Sequence, residues 1–225
     1  MITIAEYKDY EIDAHLKSRI VTWTEYQKKI ERLSALIDMT YDYVLGIFQG
    51  GYMVAMSLTD YLYKSKVGGV ISSTKEYEKM VVLTDERNMD LADMQGKKIL
   101  LVDEVVESGY SIKKCRDILS FFDVKKISTA CIYCNIHSNE KIDYYVESFA
   151  GGVNYIFPWR INRDCVSLLT DIMKHDLEYD EYRLAELIKA TFGIYISEAV
   201  ISDTLNSKEK IFLKKGDRWQ IKYEK

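Results

Sequence analysis

Residues 99–111 read Ile-Leu-Leu-Val-Asp-Glu-Val-Val-Glu-Ser-Gly-Tyr-Ser: an apolar run, two adjacent carboxylates (Asp103, Glu104), a third acid (Glu107) and a hydroxyl-rich loop. Adjacent acids at the end of a buried strand suit two kinds of partner. They accept hydrogen bonds from vicinal hydroxyls, or they hold a hydrated Mg²⁺ that keeps several of its waters. The loop offers backbone N–H groups, the hydroxyls of Ser108 and Ser111 and a helix start, which are the parts of a phosphate cradle. Gly109 lets the backbone approach that phosphate closely. A sugar phosphate is the occupant this chemistry favours.

The elements that must position these residues alternate between helix and strand. Thr22-Trp23-Thr24-Glu25 is a capping box, with Thr22 as N-cap, opening a helix whose apolar stripe runs Tyr26, Ile30, Leu33, Ile37. Strands are expected over 43–48, 67–72, 98–102, 126–133 and 144–149, with helices over 53–63 and 111–121. The polar segment 73–88 reads as a loop. The run at 98–102 is continuously apolar, as in a strand covered on both faces. Strands alternating with helices of this length predict an α/β domain with a parallel sheet flanked by helices. Ligands of such sheets bind beyond the carboxyl ends of the strands, where Asp103 and Glu104 fall.

The run at 99–111 resembles the motif that binds 5-phosphoribosyl 1-pyrophosphate (PRPP) in type I phosphoribosyltransferases. Val44-Leu45-Gly46-Ile47-Phe48-Gln49-Gly50-Gly51 is similar to that family's pyrophosphate loop. Asp143-Tyr144-Tyr145-Val146-Glu147 and Phe157-Pro158-Trp159 are similar to late segments of its xanthine, guanine and hypoxanthine branch, and Val21-Thr22-Trp23 and Ile136-His137-Ser138 fit it too. The matches keep their order over about residues 20 to 160.

The resemblance implies a type I phosphoribosyltransferase fold and a reaction of PRPP with a purine-like nucleobase, with Mg²⁺ as cofactor. Asp103 and Glu104 would hold the ribose hydroxyls and the metal. Ser108, Gly109, Tyr110 and Ser111 would wrap the 5′-phosphate, and Gln49, Gly50 and Gly51 would meet the pyrophosphate. Glu107 would be the general base; otherwise it is an acid favoured by a helix N-terminus. The segment 73–88 would supply the loop that covers the pyrophosphate, with Lys75, Lys79 and Arg87 as candidate phosphate contacts. Asn135, Asn154 and Tyr155 fall at the base-binding positions. Departures gather there and at the pyrophosphate end. Gln49 stands in place of a cation, Asn135 in place of the Lys that reads the purine 6-oxygen, Asn154 in place of a stacking Trp, and Arg160 in place of an acid. They keep open a rival reading, a PRPP or nucleotide sensor that has lost turnover, or a toxin or defence effector.

The last fifty residues change character. Helices are expected over 182–191 and 197–205, the second with Ser197 as N-cap, then a hairpin around 214–218. This order resembles a winged helix-turn-helix. We therefore expect a phosphoribosyltransferase-like domain over 1–174 and a small winged-helix-like domain over 180–225. Residues 204–225 hold seven Lys or Arg against three acids, so a nucleic-acid or protein partner is in view for this end.

Composition bounds the rest. The chain has 225 residues, 48% hydrophobic and 29% charged, with a net charge of −4, which argues against a basic coat for nucleic acid. No apolar run is long enough to span a bilayer and residues 1–10 lack a signal-peptide core, so a cytoplasmic protein with no membrane partner is expected. The family leads us to expect a homo-oligomer. Cys131-x-x-Cys134-x-x-His137 has the spacing of a zinc site, but an offset of three on a strand puts the sulfurs on opposite faces. Reduced cysteines are the expectation.

Overall fold

The computed structural model describes residues 17–63, 65–72, 80–84, 91–174 and 177–222. They gather into two compact units, one of 24–151 and one of the described parts of 1–23 and 152–225.

The unit of 24–151 is built on a six-stranded sheet. Its elements are α1 (Trp23–Leu36, whose first residue belongs to the other unit), β2 (Tyr43–Ile47), α2 (Gly50–Thr59), β3 (Lys66–Ser72), β4 (Met80–Thr84), β5 (Lys98–Val106), α3 (Tyr110–Ser120), β6 (Lys126–Asn135) and β7 (Tyr144–Phe149), with β1 reserved for a strand of the other unit. The strand order is β4-β3-β2-β5-β6-β7, and every pair is parallel except β3 with β4. All five residues of β2 are buried, as are Ile99 to Val102 of β5, because helices cover both faces of a parallel sheet. The chain passes from β2 outward to β3, then returns to β5 on the other side of β2. The crevice between the carboxyl ends of β2 and β5 is thus the switch point, where open sheets bind ligands.

Three features differ from expectation. Strand β5 runs on through Val106, so Asp103 and Glu104 lie inside the strand rather than beyond it. Strand β4 occupies part of the segment read as a loop: Met80-Val-Val-Leu-Thr is apolar and pairs antiparallel with β3. Helix α2 begins at Gly50, three residues early, because the glycine pair itself forms its first turn. Lys75, Lys79 and Arg87 lie outside the described residues.

Cys131 and Cys134 also depart from strand alternation. Both enter the same apolar cluster, and the Cys134 thiol donates to the Asn135 carbonyl at 3.7 Å. Burial raises the Cys131 thiol, whereas the neighbouring Cys131 thiol lowers Cys134.

The other unit pairs β1 (Lys17–Ile20) in parallel with β8 (Val153–Ile156), neither foreseen. A 3-10 turn over Pro158–Arg160 leads to α4 (Ile161–Ile172), then α5 (Glu181–Phe192), α6 (Glu198–Ser207) and the hairpin of β9 (Phe212–Lys215) and β10 (Arg218–Ile221). Asp180 caps α5 by accepting from the Arg183 N–H, and Ser197 caps α6 by accepting from Val200. Ile156, Val166, Leu169, Leu184, Ile188, Ile201, Leu205 and Trp219 share one apolar core. The expected boundary near 174–180 therefore lies within a single core. No described helix is long and apolar enough to cross a membrane.

Candidate active site at the carboxyl end of β5

Helix α2 approaches the sheet so closely that only glycine fits at its start. A Cβ on Gly51 would lie 2.4 Å from the Val102 carbonyl oxygen, and one on Gly50 would lie 1.9 Å from the Glu104 carboxylate. A Cβ on Gly46, in β2, would meet the Gly51 oxygen at 2.3 Å. The Asp103 Oδ1 is 3.2 Å from the Cβ position of Gly51 and accepts the Glu104 N–H at 2.9 Å. Asp103, Glu104, Gly50 and Gly51 are thus brought together, with both carboxylates bordering the first turn of α2. The partial positive charge of that helix terminus favours acids there. Glu104 is buried, and its charge helps raise the Tyr26 phenol to about 12, after the larger effect of burial. Gln49, at the N-cap of α2, is exposed and makes no side-chain cap bond, and the Phe48–Gln49 peptide is cis.

The hydroxyl loop wraps a cavity of about 140 Å³ lined by Asp103, Glu107, Ser108, Gly109, Tyr110 and Ser111 among others. Liquid water takes about 30 Å³ per molecule, so this space admits a phosphoryl group. Gly109 sits at φ 82° as the N-cap of α3, the left-handed region glycine adopts without strain. A Cβ there would also strike Ser138 Oγ and Glu140 Cβ, each at 2.7 Å. The Ser108 hydroxyl accepts the Tyr110 N–H at 3.3 Å, and the Ser108 carbonyl accepts from Asn139. Arg116, on α3, donates to Glu140 at 2.6 Å and braces the loop.

Asn135, at the end of β6, is tied to Glu107. Its Nδ2 donates to Glu107 Oε1 at 2.8 Å, and its Oδ1 accepts the His137 N–H at 2.9 Å, so the amide has one orientation. Gly151 lies alongside, its Cβ position 3.5 Å from Asn135 Nδ2 and 3.6 Å from Glu107 Oε1. Asn154 and Tyr155 are on β8, in the other unit. They point to opposite faces of that strand, Tyr155 with Arg19 5.9 Å from its ring, and the buried Asn154 Nδ2 has no hydrogen-bond partner among the described residues.

One buried group escaped the sequence reading. Lys29, on α1, donates to Glu147 at 2.6 Å and lies 4.9 Å from the Tyr133 ring centroid, while Tyr133 donates to Glu25. The i,i+4 spacing of Glu25 and Lys29 hinted at half of this network; Glu147 is 118 residues away.

The profile of the phosphoribosyl transferase domain matches residues 18–161. The chain belongs to that family. Hypoxanthine phosphoribosyltransferase of Salmonella typhimurium is 26% identical over 113 residues, which cover 46% of this chain and 59% of that protein. Its counterpart in Escherichia coli K12 is 26% identical over 148 residues, 59% of this chain and 79% of the relative. Among solved structures, a purine phosphoribosyltransferase from Pyrococcus horikoshii superposes with a TM-score of 0.53 at 20% identity, over 64% of this chain and 94% of that one. That likeness establishes the phosphoribosyltransferase fold. Residues 162–225, with most of α4 and all that follows, lie beyond the family match.

The chemistry of the donor set fits Mg²⁺ in one manner. Among the described residues no three His, Cys, Asp or Glu gather as a cage. Mg²⁺ is commonly held by one or two carboxylates together with substrate oxygens, and Asp103 and Glu104 supply that number.

Proposed function

We propose that the protein transfers the phosphoribosyl group of PRPP to a purine-like base with release of pyrophosphate. The observation that supports this most is the convergence on one strand end of Asp103, the α2 terminus, the Ser108–Ser111 cavity and Glu107 held by Asn135. Ser108, Gly109, Tyr110 and Ser111 bind the 5′-phosphate, using N–H groups at the start of α3. Asp103 and Glu104 accept from the ribose hydroxyls and would hold Mg²⁺, which supplies positive charge to the leaving group when bound. Gln49, Gly50 and Gly51 present the α2 terminus to the pyrophosphate; Gln49 offers an amide donor where a cation would neutralise charge. A ring nitrogen of the base attacks C1′ as the bond from C1′ to the pyrophosphate oxygen breaks. Glu107 takes the nitrogen's proton, and pyrophosphate leaves with the electron pair.

In this reading Asn135 steadies Glu107, and recognition of the base falls to other groups. The order α5, α6, hairpin supports reading 180–225 as winged-helix-like, after a phosphoribosyltransferase-like stretch of 1–174. Within it Lys214 lies 5.1 Å from the Trp219 ring centroid and Lys215 pairs with Glu178 at 3.2 Å.

The site is tested by calorimetric titration of PRPP with Mg²⁺. Asp103→Asn with Glu104→Gln is expected to weaken binding at least tenfold while circular dichroism stays unchanged. Undiminished binding would put PRPP elsewhere.

A further inference from the structure

The opposite, amino-terminal edge of the six-stranded sheet carries a larger cleft, of about 590 Å³, bordered by Asp42, Tyr63, Lys97, Lys98 and Lys125, with Tyr41 at its wall. Its size falls in the range of small-molecule sites, about 300–1,000 Å³. The main chain holds the lysines in place. Asp42 donates its N–H to the Lys98 carbonyl at 2.9 Å, and its carboxylate accepts the Lys98 N–H at 2.8 Å, fastening the start of β2 to that of β5. Lys125 in turn donates its N–H to the Lys97 carbonyl at 2.9 Å, fastening the approach to β6.

The cleft gathers three lysines at one place. Lys29, Lys113, Lys174 and Lys215 each have a carboxylate within bonding distance. The ammonium groups of Lys97, Lys98 and Lys125 have no ion pair or hydrogen bond among the described residues. The cleft thus sets three cations against the single carboxylate of Asp42, in a chain whose net charge is −4. Like charges held together repel unless an anion joins them, and a concave wall strengthens their field. At the rim the Tyr63 ring is 85% exposed, an aromatic face open to stacking. The candidate active site lies at the other end of β5. From Lys98 to Asp103 is five residues, roughly 17 Å at 3.3 Å per strand residue, so one ligand does not fill both.

We propose that this cleft is a second ligand site, taking a nucleoside di- or triphosphate whose phosphates meet Lys97, Lys98 and Lys125 and whose base stacks on Tyr63. The chemistry shared with inorganic oligophosphates is the phosphate chain; the ring at the rim favours the nucleotide.

The test is a titration of the isotope-labelled full chain with inorganic tripolyphosphate and, separately, with ATP, followed by amide NMR shifts. Both probes are expected to move Gly96, Lys97, Lys98 and Lys125. Lys97→Gln with Lys125→Gln should weaken both at least tenfold while leaving PRPP affinity within twofold. ATP should bind at least about fivefold tighter than tripolyphosphate, the size expected of one stacked base, and Tyr63→Ala should remove that difference. Shifts confined to residues 108–112, or equal binding by the lysine variant, would overturn the site. Equal affinity for both probes, unaffected by Tyr63→Ala, would overturn the nucleotide. No step depends on turnover, so a protein inactive toward PRPP can still pass this test.

Discussion

Asn135 spends its amide on two neighbours, donating to Glu107 and accepting from the His137 N–H. That leaves Glu107 as a carboxylate aimed by a neutral group, an arrangement suited to a base that must be placed without being neutralised. Asn135→Ala is expected to lower kcat about tenfold to a hundredfold with KM for PRPP within twofold, the signature of a lost orientation. Glu107→Gln should cost more, about 10²–10⁴-fold, in steady-state rates. Rates in Asn135→Ala equal to those of the unaltered chain would contradict the positioning role. The residues of 103–111 were legible in the sequence because their types carry the chemistry locally. The Glu107–Asn135 bond was not, because it joins side chains 28 residues apart whose meeting depends on the β5–β6 pairing.

At the scale of elements, the sheet was readable where burial is complete and unreadable where it is shared. Strands β2, β3, β5, β6 and β7 are apolar runs bounded by turn residues, and their existence follows from the sequence. Strands β1 and β8 have four residues each and, among the described residues, pair with one another alone, too short a pattern to stand out. Helix α4 was missed although Cys165, Val166, Leu168 and Leu169 are buried on it. The close seat of α2 was written in Gly46, Gly50 and Gly51, but what each glycine touches required the fold.

Helix α3 carries a consequence for pH. Burial against the sheet, aided by the charge of Asp103, pushes the Cys115 thiol from 9.0 up to about 12. The folded chain therefore favours the neutral thiol. That stability is complete below about pH 9, the ordinary value of the group, and is lost as pH climbs toward 12. Cys165, pushed up to about 11 by burial, acts in the same direction. Under reducing conditions the urea midpoint is expected to fall between pH 8 and 10.5, and to fall less in Cys115→Ala. Equal slopes in the two proteins would contradict this assignment.

Across the whole molecule, chain order and spatial grouping part company. One unit is contiguous, and the other joins the described residues of 1–23 to those of 152–225. Sequence continuity pointed instead to a break near residue 175, because α5, α6 and the hairpin carry their own caps and turn. Val166, Leu168, Leu169 and Met173 are buried in one cluster with Leu184, Ile201, Leu205 and Trp219. Ending the chain at 174 strips those partners away. The shortened protein is expected to melt well below the full chain or to aggregate; an unchanged Tm would mean that 180–225 is dispensable to the fold.

Transfer of a phosphoribosyl group is tested by pyrophosphate release. The full chain is incubated with PRPP and Mg²⁺ against a panel of nucleobases and with none. Release is expected to require a purine-like base and to be lost in Glu107→Gln, with PRPP still bound by that variant. Tight PRPP binding with no base-dependent release from the unaltered protein would contradict phosphoribosyl transfer.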